Sequence, residues 1–149
     1  MTIPCAIFDI DGTLALIEHR RHWVTSKPKN WGAFNSQMHL DTPNQPIINI
    51  ARKLFNSGMI VNVASGREGT PTSRKVTEKW LEENGISYAN LWMRQAGDFR
   101  RDDIVKEEIL DNILASGFYP EIIFDDRDQV VAMWRRRGFV CCQVAEGNF

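Results

Sequence analysis

The chain has 149 residues, 43% of them hydrophobic and 25% charged, with a formal net charge of −1 and a pI near 6.3. That length suits one domain with a real core, and the near-neutral charge excludes a global basic field of the kind that recruits nucleic acid. No apolar run approaches membrane-spanning length, and Met1 leads straight into a strand pattern, so no signal peptide is expected.

The first predicted element is a strand over Ile3–Asp9, an apolar run that stops abruptly in Asp9-Ile10-Asp11-Gly12-Thr13. Leu14–Pro46 follows, much longer than a typical connection of about five residues, and reads as a functional insert, a lid beside the strand ends. Within it Trp31, Phe34 and Met38 fall at helical spacing and predict a small internal core. A helix over Gln45–Asn56 aligns Ile47, Ile50, Ala51 and Leu54, and the strand Met59–Ala64 leads into Ser65-Gly66-Arg67. A helix over Thr72–Asn84 gathers Val76, Trp80 and Leu81, and Leu91–Met93 is a short strand. The helix Asp102–Ala115 aligns Ile109, Leu110 and Ile113, and the strand Glu121–Asp125 runs into Asp126-Arg127. The helix Arg127–Arg137 carries Val130, Val131 and Trp134, and Phe139–Val144 is the last strand.

Most of these strands lack two-residue alternation, as expected for strands covered on both faces. Their alternation with helices predicts an α/β fold: a doubly wound parallel sheet with a small helical cap insert over about 14–46, in a single domain over 1–149. Cys5, Cys141 and Cys142 all lie in strand-like runs, so buried thiols in a reducing, cytoplasmic compartment are expected rather than disulfides or a metal site. Basic clusters at Glu18–Trp23, Phe99–Asp103 and Trp134–Gly138 read first as solvated faces.

Sites in open parallel sheets form outside the carboxyl ends of the strands. Three such ends carry reactive residues here: Asp9 and Asp11, Ser65-Gly66-Arg67, and Asp125-Asp126-Arg127. Strand alternation puts Asp9 and Asp11 on one side, and Gly12 permits a tight exit turn. Carboxylates converging on one sheet edge repel each other unless a hard cation neutralises them, and oxygen-only ligands suit Mg²⁺ better than zinc.

These residues resemble the haloacid dehalogenase-like phosphohydrolase superfamily, marked by D-x-D-G-T, a Ser or Thr after the second strand, a later Lys and paired acids. They stand here as Asp9 to Thr13, Ser65, Lys106 and Asp125-Asp126. The resemblance implies an aspartate nucleophile at Asp9, a general acid and base at Asp11, and Mg²⁺ bound by Asp9, the backbone oxygen of Asp11 and Asp126, with Asp125 behind them. It also implies that Ser65, Lys106 and backbone amides near Asp11, with Thr13 and Gly66 beside them, hold the phosphate. Lys106 has an alternative reading as an i,i+4 ion-pair partner of Asp102.

A narrower resemblance covers Ile7 to the C-terminus. Arg94, Gly97, Asp98, Arg100, Asp102, Asp103, Val105, Lys106, Glu107 and Glu108, then Val130, Val131, Met133, Trp134, Arg135 and Gly138, look like the 3′-phosphatase domain of bacteriophage-type polynucleotide kinase/phosphatase. It implies that Arg20, Arg67, Arg94 and Asp102 serve the substrate; Asp102 reads equally well as a helix cap. No phosphate-binding G-x-x-x-x-G-K loop occurs, so no 5′-kinase activity is expected. The expected activity is removal of the 3′-phosphate from nucleic acid ends, with no membrane partner. Its competitors are a nucleotidase acting on free nucleoside monophosphates and a non-catalytic phosphate-binding module. The insert favours the first weakly, because Arg20, Arg21, Lys27 and Lys29 outnumber Glu18 and Asp41 and could engage a backbone phosphate.

Overall fold

The computed structural model describes residues 2–149, so Met1 lies outside it. In chain order the elements are β1 (Ile3–Phe8), β2 (Ala15–Leu16), α1 (Glu18–Thr25), α2 (Trp31–Ser36), β3 (Thr42–Pro43), α3 (Gln45–Asn56) and β4 (Ile60–Glu68). Then come α4 (Pro71–Glu83), β5 (Asn90–Arg94), α5 (Asp102–Ala115), β6 (Phe118–Asp125), α6 (Asp128–Arg136) and β7 (Cys141–Gln143). Five strands form one parallel sheet in the order β5-β4-β1-β6-β7, the α/β architecture expected from the sequence.

Alternation along β1 splits the core into two layers. Ala6 and Phe8 face one layer, where Ile48 and Ala51 of α3 and Trp80 and Leu81 of α4 pack. Cys5 and Ile7 face the other, against Leu110 and Ile113 of α5 and Trp134 of α6. Burial on both faces explains why β1 reads as an unbroken apolar run.

Several details depart from the sequence pattern. On α3 the buried positions are Ile48 and Ala51, while Ile50 turns outward. On α4 Thr77 is buried in preference to Val76, because its hydroxyl accepts a hydrogen bond from Arg67 Nη1 at 3.1 Å. β4 continues through Ser65-Gly66-Arg67 instead of ending before them, with its register against β5 shifting between Ser65 and Glu68. Such bulges re-aim side chains near active sites. β6 starts earlier than predicted and tolerates Pro120 at a register shift opposite Cys5 and Ala6, where proline's missing N–H does least harm.

The insert is more than helices. α1, α2 and a 3₁₀ turn at Met38–Leu40 are closed off by an antiparallel β2–β3 pair, Ala15 opposite Pro43 and Leu16 opposite Thr42. Two-residue strands have no periodicity to detect. Phe34 and Met38 are buried as expected of an internal core, but Trp31 is not: it is 50% exposed, its ring meeting Phe34 edge-on at 5.6 Å. Cys142 also departs from expectation, exposed on the edge strand β7, whereas Cys5 and Cys141 are buried thiols. Among the described residues no helix is long and apolar enough to cross a membrane.

Leu110 is fully buried against the sheet, so Leu110→Ala removes apolar contact and leaves a cavity. The expected loss is about 3 kcal/mol in urea denaturation, seen as a lower midpoint with an unchanged slope.

Candidate active site

The strand order reverses at β1: the chain goes from β1 to β4 and β5 on one side, then returns to β6 on the other. The crevice at such a switch point opens between the ends of β1 and β6. Asp9 follows β1 there, its N–H donating to Phe124 O at 3.0 Å, and Asp125-Asp126 close β6 beside it.

Asp9, Asp125 and Asp126 are all buried, and each offers a carboxylate oxygen within 4.8 Å of the others. Lys106, 1% exposed, is reached from α5 and donates to Asp9 Oδ1 at 2.7 Å and to Asp125 Oδ2 at 2.9 Å. It makes no ion pair with Asp102. The other Asp9 oxygen accepts from Thr13 Oγ1 at 3.0 Å. Asp125 is fully engaged: its Oδ1 accepts from the N–H groups of Asp126 and Arg127, and its Oδ2 also accepts from Trp134 Nε1 at 3.1 Å. Asp126 Oδ2, by contrast, is buried with no hydrogen-bond partner.

A buried carboxylate oxygen without a donor is costly. Burial first, then the charge of Asp125, pushes Asp126 up to about 7. Burial and Asp125 likewise raise Asp9 well above the usual carboxylate range, against the pull of Lys106. Burial disfavours the Lys106 ammonium, but Asp125 and Asp9 outweigh it and hold its proton firmly.

A second charged group flanks the first. Arg67 places Nη2 2.6 Å from Asp11 Oδ1 and Nε 3.1 Å from Asp11 Oδ2, and Arg20 Nη2 lies 2.6 Å from Asp11 Oδ1. Burial opposes the Asp11 anion, yet these two guanidinium groups hold its carboxyl well below the usual range. Both arginines are anchored by Asp41, which accepts from Arg20 Nε and Nη2 at 2.7 Å each and from Arg67 Nη2 at 3.1 Å. His19 contacts Asp41 Oδ1 at 2.7 Å, and Trp80 Nε1 donates to Asp41 O at 2.9 Å. Asp41 carries no sequence signal; its role arises only when the insert folds onto the sheet. Taken together, Asp9, Asp11, Asp41, Asp125 and Asp126 face Arg20, Arg67 and Lys106, five acids against three bases. The donor set and its orphan oxygen fit a divalent cation, which would offset the excess.

The remaining sequence-derived positions sort by geometry. Ser65 is buried, and its hydroxyl oxygen accepts the Arg67 N–H at 3.0 Å. Gly66 O accepts from Arg94 Nε at 2.8 Å, and a Cβ on Gly66 would collide with the Asp102 carboxylate. Asp102 does not cap α5: Arg101 holds that position, and Asp102 lies 3.4 Å from Arg94 and 3.7 Å from Arg127. Arg94 braces the loop before α5, donating to Asp98 O and Arg100 O, rather than projecting free toward a ligand. Arg20 is wholly buried and stacks over Phe34, 4.1 Å from Cζ to ring centre. Of the insert's basic residues, Arg21 and Lys29 line the cavity of about 490 Å³ above the carboxylates; Arg20 and Lys27 do not. Gly12 has φ +86°, and a Cβ there would overlap the Asp126 carboxylate.

Fold and carboxylate floor define a haloacid dehalogenase-like phosphatase. The same fold is seen in a haloacid dehalogenase-like hydrolase from Streptococcus pneumoniae, 14% identical, with a TM-score of 0.64 over 95% of this chain and 84% of that one. More narrowly, residues 3–149 match the polynucleotide kinase PNKP phosphatase domain family, and the chain belongs to it. A chain in the Pnkp1/Rnl/Hen1 RNA repair complex is 34% identical with a TM-score of 0.84, covering 99% of this chain and 44% of that one. A protein of Autographa californica nuclear polyhedrosis virus, assigned as a bifunctional polynucleotide kinase/RNA ligase, is 27% identical over 129 residues, 85% of this chain but 17% of the viral protein. The chain thus spans less than half the length of either relative.

Asp41→Asn is expected to leave two buried guanidinium groups short of an anion, at a cost of about 3 kcal/mol by thermal or urea denaturation. Phosphatase activity should fall with it, because Arg20 and Arg67 lose their anchor.

Proposed function

We propose that the chain is a Mg²⁺-dependent phosphomonoesterase that removes the 3′-phosphate from nucleic acid ends through an aspartyl phosphate. The observation that carries this reading is Asp9 at the cavity floor, held by Lys106 on one oxygen and Thr13 on the other, beside the unpartnered Asp126 oxygen. Asp9 attacks phosphorus as the bond to the 3′-oxygen breaks, and Asp11 protonates the departing alkoxide. Water then attacks the phosphorus, Asp11 takes its proton, and Asp9 is released. Lys106 steadies Asp9, and Ser65 keeps its hydroxyl hydrogen for a phosphate oxygen.

Asp11 must hold a proton to act as an acid, and Arg67 and Arg20 disfavour this. A substrate phosphate that draws the Arg67 fork toward itself removes one of those cations and raises the proton affinity of Asp11. Asp9, the backbone oxygen of Asp11 and Asp126 would hold Mg²⁺, with Asp125 orienting them. Bound there, the ion screens repulsion between the carboxylate nucleophile and the phosphate dianion. Free thiols suit a reducing cytoplasm as the place of work.

A nucleotidase is the second reading, because a cavity of about 490 Å³ holds one nucleoside monophosphate. Phosphate release from a 3′-phosphorylated oligonucleotide, its 5′-phosphorylated counterpart and the 3′- and 5′-mononucleotides separates the two. The 3′-phosphorylated oligonucleotide should be preferred, and its kcat/KM should fall more steeply with salt than that of a mononucleotide. Equal slopes with equal turnover would favour the nucleotidase.

Asp9→Asn should abolish turnover without unfolding the chain, and retained turnover in a pure preparation would refute the covalent route. Chelation should stop activity and Mg²⁺ restore it. Asp126→Asn should raise the Mg²⁺ requirement while leaving the fold stable. Asp125→Asn should destabilise instead, since it removes a charge that faces buried Lys106.

A further inference from the structure

Exposed aromatic rings line the cavity above the carboxylate floor from separate parts of the chain: Trp31 of the insert, Phe99 before α5 and Phe149. Phe149 already has partners, with the guanidinium groups of Arg21 and Arg127 over its ring at 4.7 and 5.1 Å. Phe99 is 85% exposed, yet its loop is firmly built. Arg94 Nη1 binds the carbonyls on either side, Asp98 O at 3.1 Å and Arg100 O at 2.6 Å. Arg100 donates to Asp98 Oδ2 at 2.7 Å and to Glu108 Oε1 at 2.6 Å, and Gly97 N–H donates to Glu68 at 2.6 Å. A frame of ionic hydrogen bonds therefore holds an apolar ring in water.

One exposed aromatic on a surface is ordinary. Two that converge on one cavity from distant segments, over a phosphate-handling floor, form a pattern. Cations accompany them: Lys29 Nζ lies 5.7 Å from the Trp31 ring centre, and Arg101, two residues after Phe99, lines the same cavity while pairing with Asp103 at 3.3 Å. Flat apolar faces interleaved with cations match the alternation of bases and phosphodiesters in a single strand.

We propose that Trp31 and Phe99 are base-stacking contacts for the last nucleotides of a single strand whose terminal phosphate lies over Asp9, with Lys29 and Arg101 meeting the adjoining phosphodiesters. This deepens, and rests on, the reading of the chain as a nucleic acid 3′-phosphatase. Unpaired terminal bases offer their faces freely to such contacts. Base identity matters little, since every base presents a π face.

The test compares two 3′-phosphorylated single strands, one ordinary and one abasic at its last two positions. On the ordinary strand Phe99→Ala and Trp31→Ala should each raise KM about ten-fold with kcat little changed. Phe99→Tyr and Trp31→Phe should restore it. On the abasic strand the alanine variants should add nothing to a KM already high in the unaltered enzyme. An equal rise on both strands would make the rings structural and overturn the proposal. No rise on either would overturn it too and leave the rim to a protein partner. An unaltered enzyme that turns over mononucleotides but neither strand would remove the 3′-end reading itself, and the stacking contacts with it.

Discussion

The Lys106 ammonium, wedged between Asp9 and Asp125, is the contact on which the rest of the site depends. It joins three elements at once: the end of β1, the end of β6 and the body of α5. All three charges are buried, and removing any one would leave its partner uncompensated, the costly case for a buried ion pair. Trp134, at the heart of the second core layer, donates to the same Asp125 oxygen. Core packing and site geometry are therefore not separable here: α6 seats the tryptophan, which sets Asp125, which sets the lysine.

The charges divide into two groups with different tasks. The floor group of Asp9, Asp125, Asp126 and Lys106 is short of positive charge and leaves one oxygen unpartnered, the condition for receiving a cation. The flanking group of Asp11, Asp41, Arg20 and Arg67 is balanced and fully hydrogen-bonded. Its members come from the insert and from the sheet, so the insert is attached to the sheet by ion pairs as well as by Phe34, which packs in the core layer of Ala6 and Phe8. Buried ion pairs contribute little net stability but demand one geometry, and that demand fixes where the insert sits.

Much of this was legible in the sequence because local chemistry carried it. Asp9, Asp11 and the Asp125-Asp126 pair stand at the ends of apolar runs where solvated turns would suffice, and the alternating strands and helices gave the sheet. The misreadings have a common cause. Arg20 looked like part of a basic lid because sequence shows a side chain's charge and not its depth; only the folded insert buries it against Asp41. Asp41 itself was invisible for the same reason. Lys106 had two readings, a phosphate contact or an ion pair with Asp102 one turn away, and helix spacing could not show that Asp9 and Asp125 would take its ammonium. Trp31 sat at core spacing with Phe34 and Met38, but α2 is only six residues long and has no second turn to bury it.

Two glycines press on Asp126 from opposite ends of the sequence. A methyl group on Gly12 would occupy the space of its carboxylate, and one on Gly147 would overlap its backbone oxygen. Neither glycine bears a functional group, yet both delimit the volume around a site aspartate. The gentlest genetic change, a single alanine, would therefore displace the same aspartate, its carboxylate from Gly12 and its backbone from Gly147. Anyone ranking variants of this chain by chemical severity would place those two among the mildest, and the steric map places them beside the aspartates.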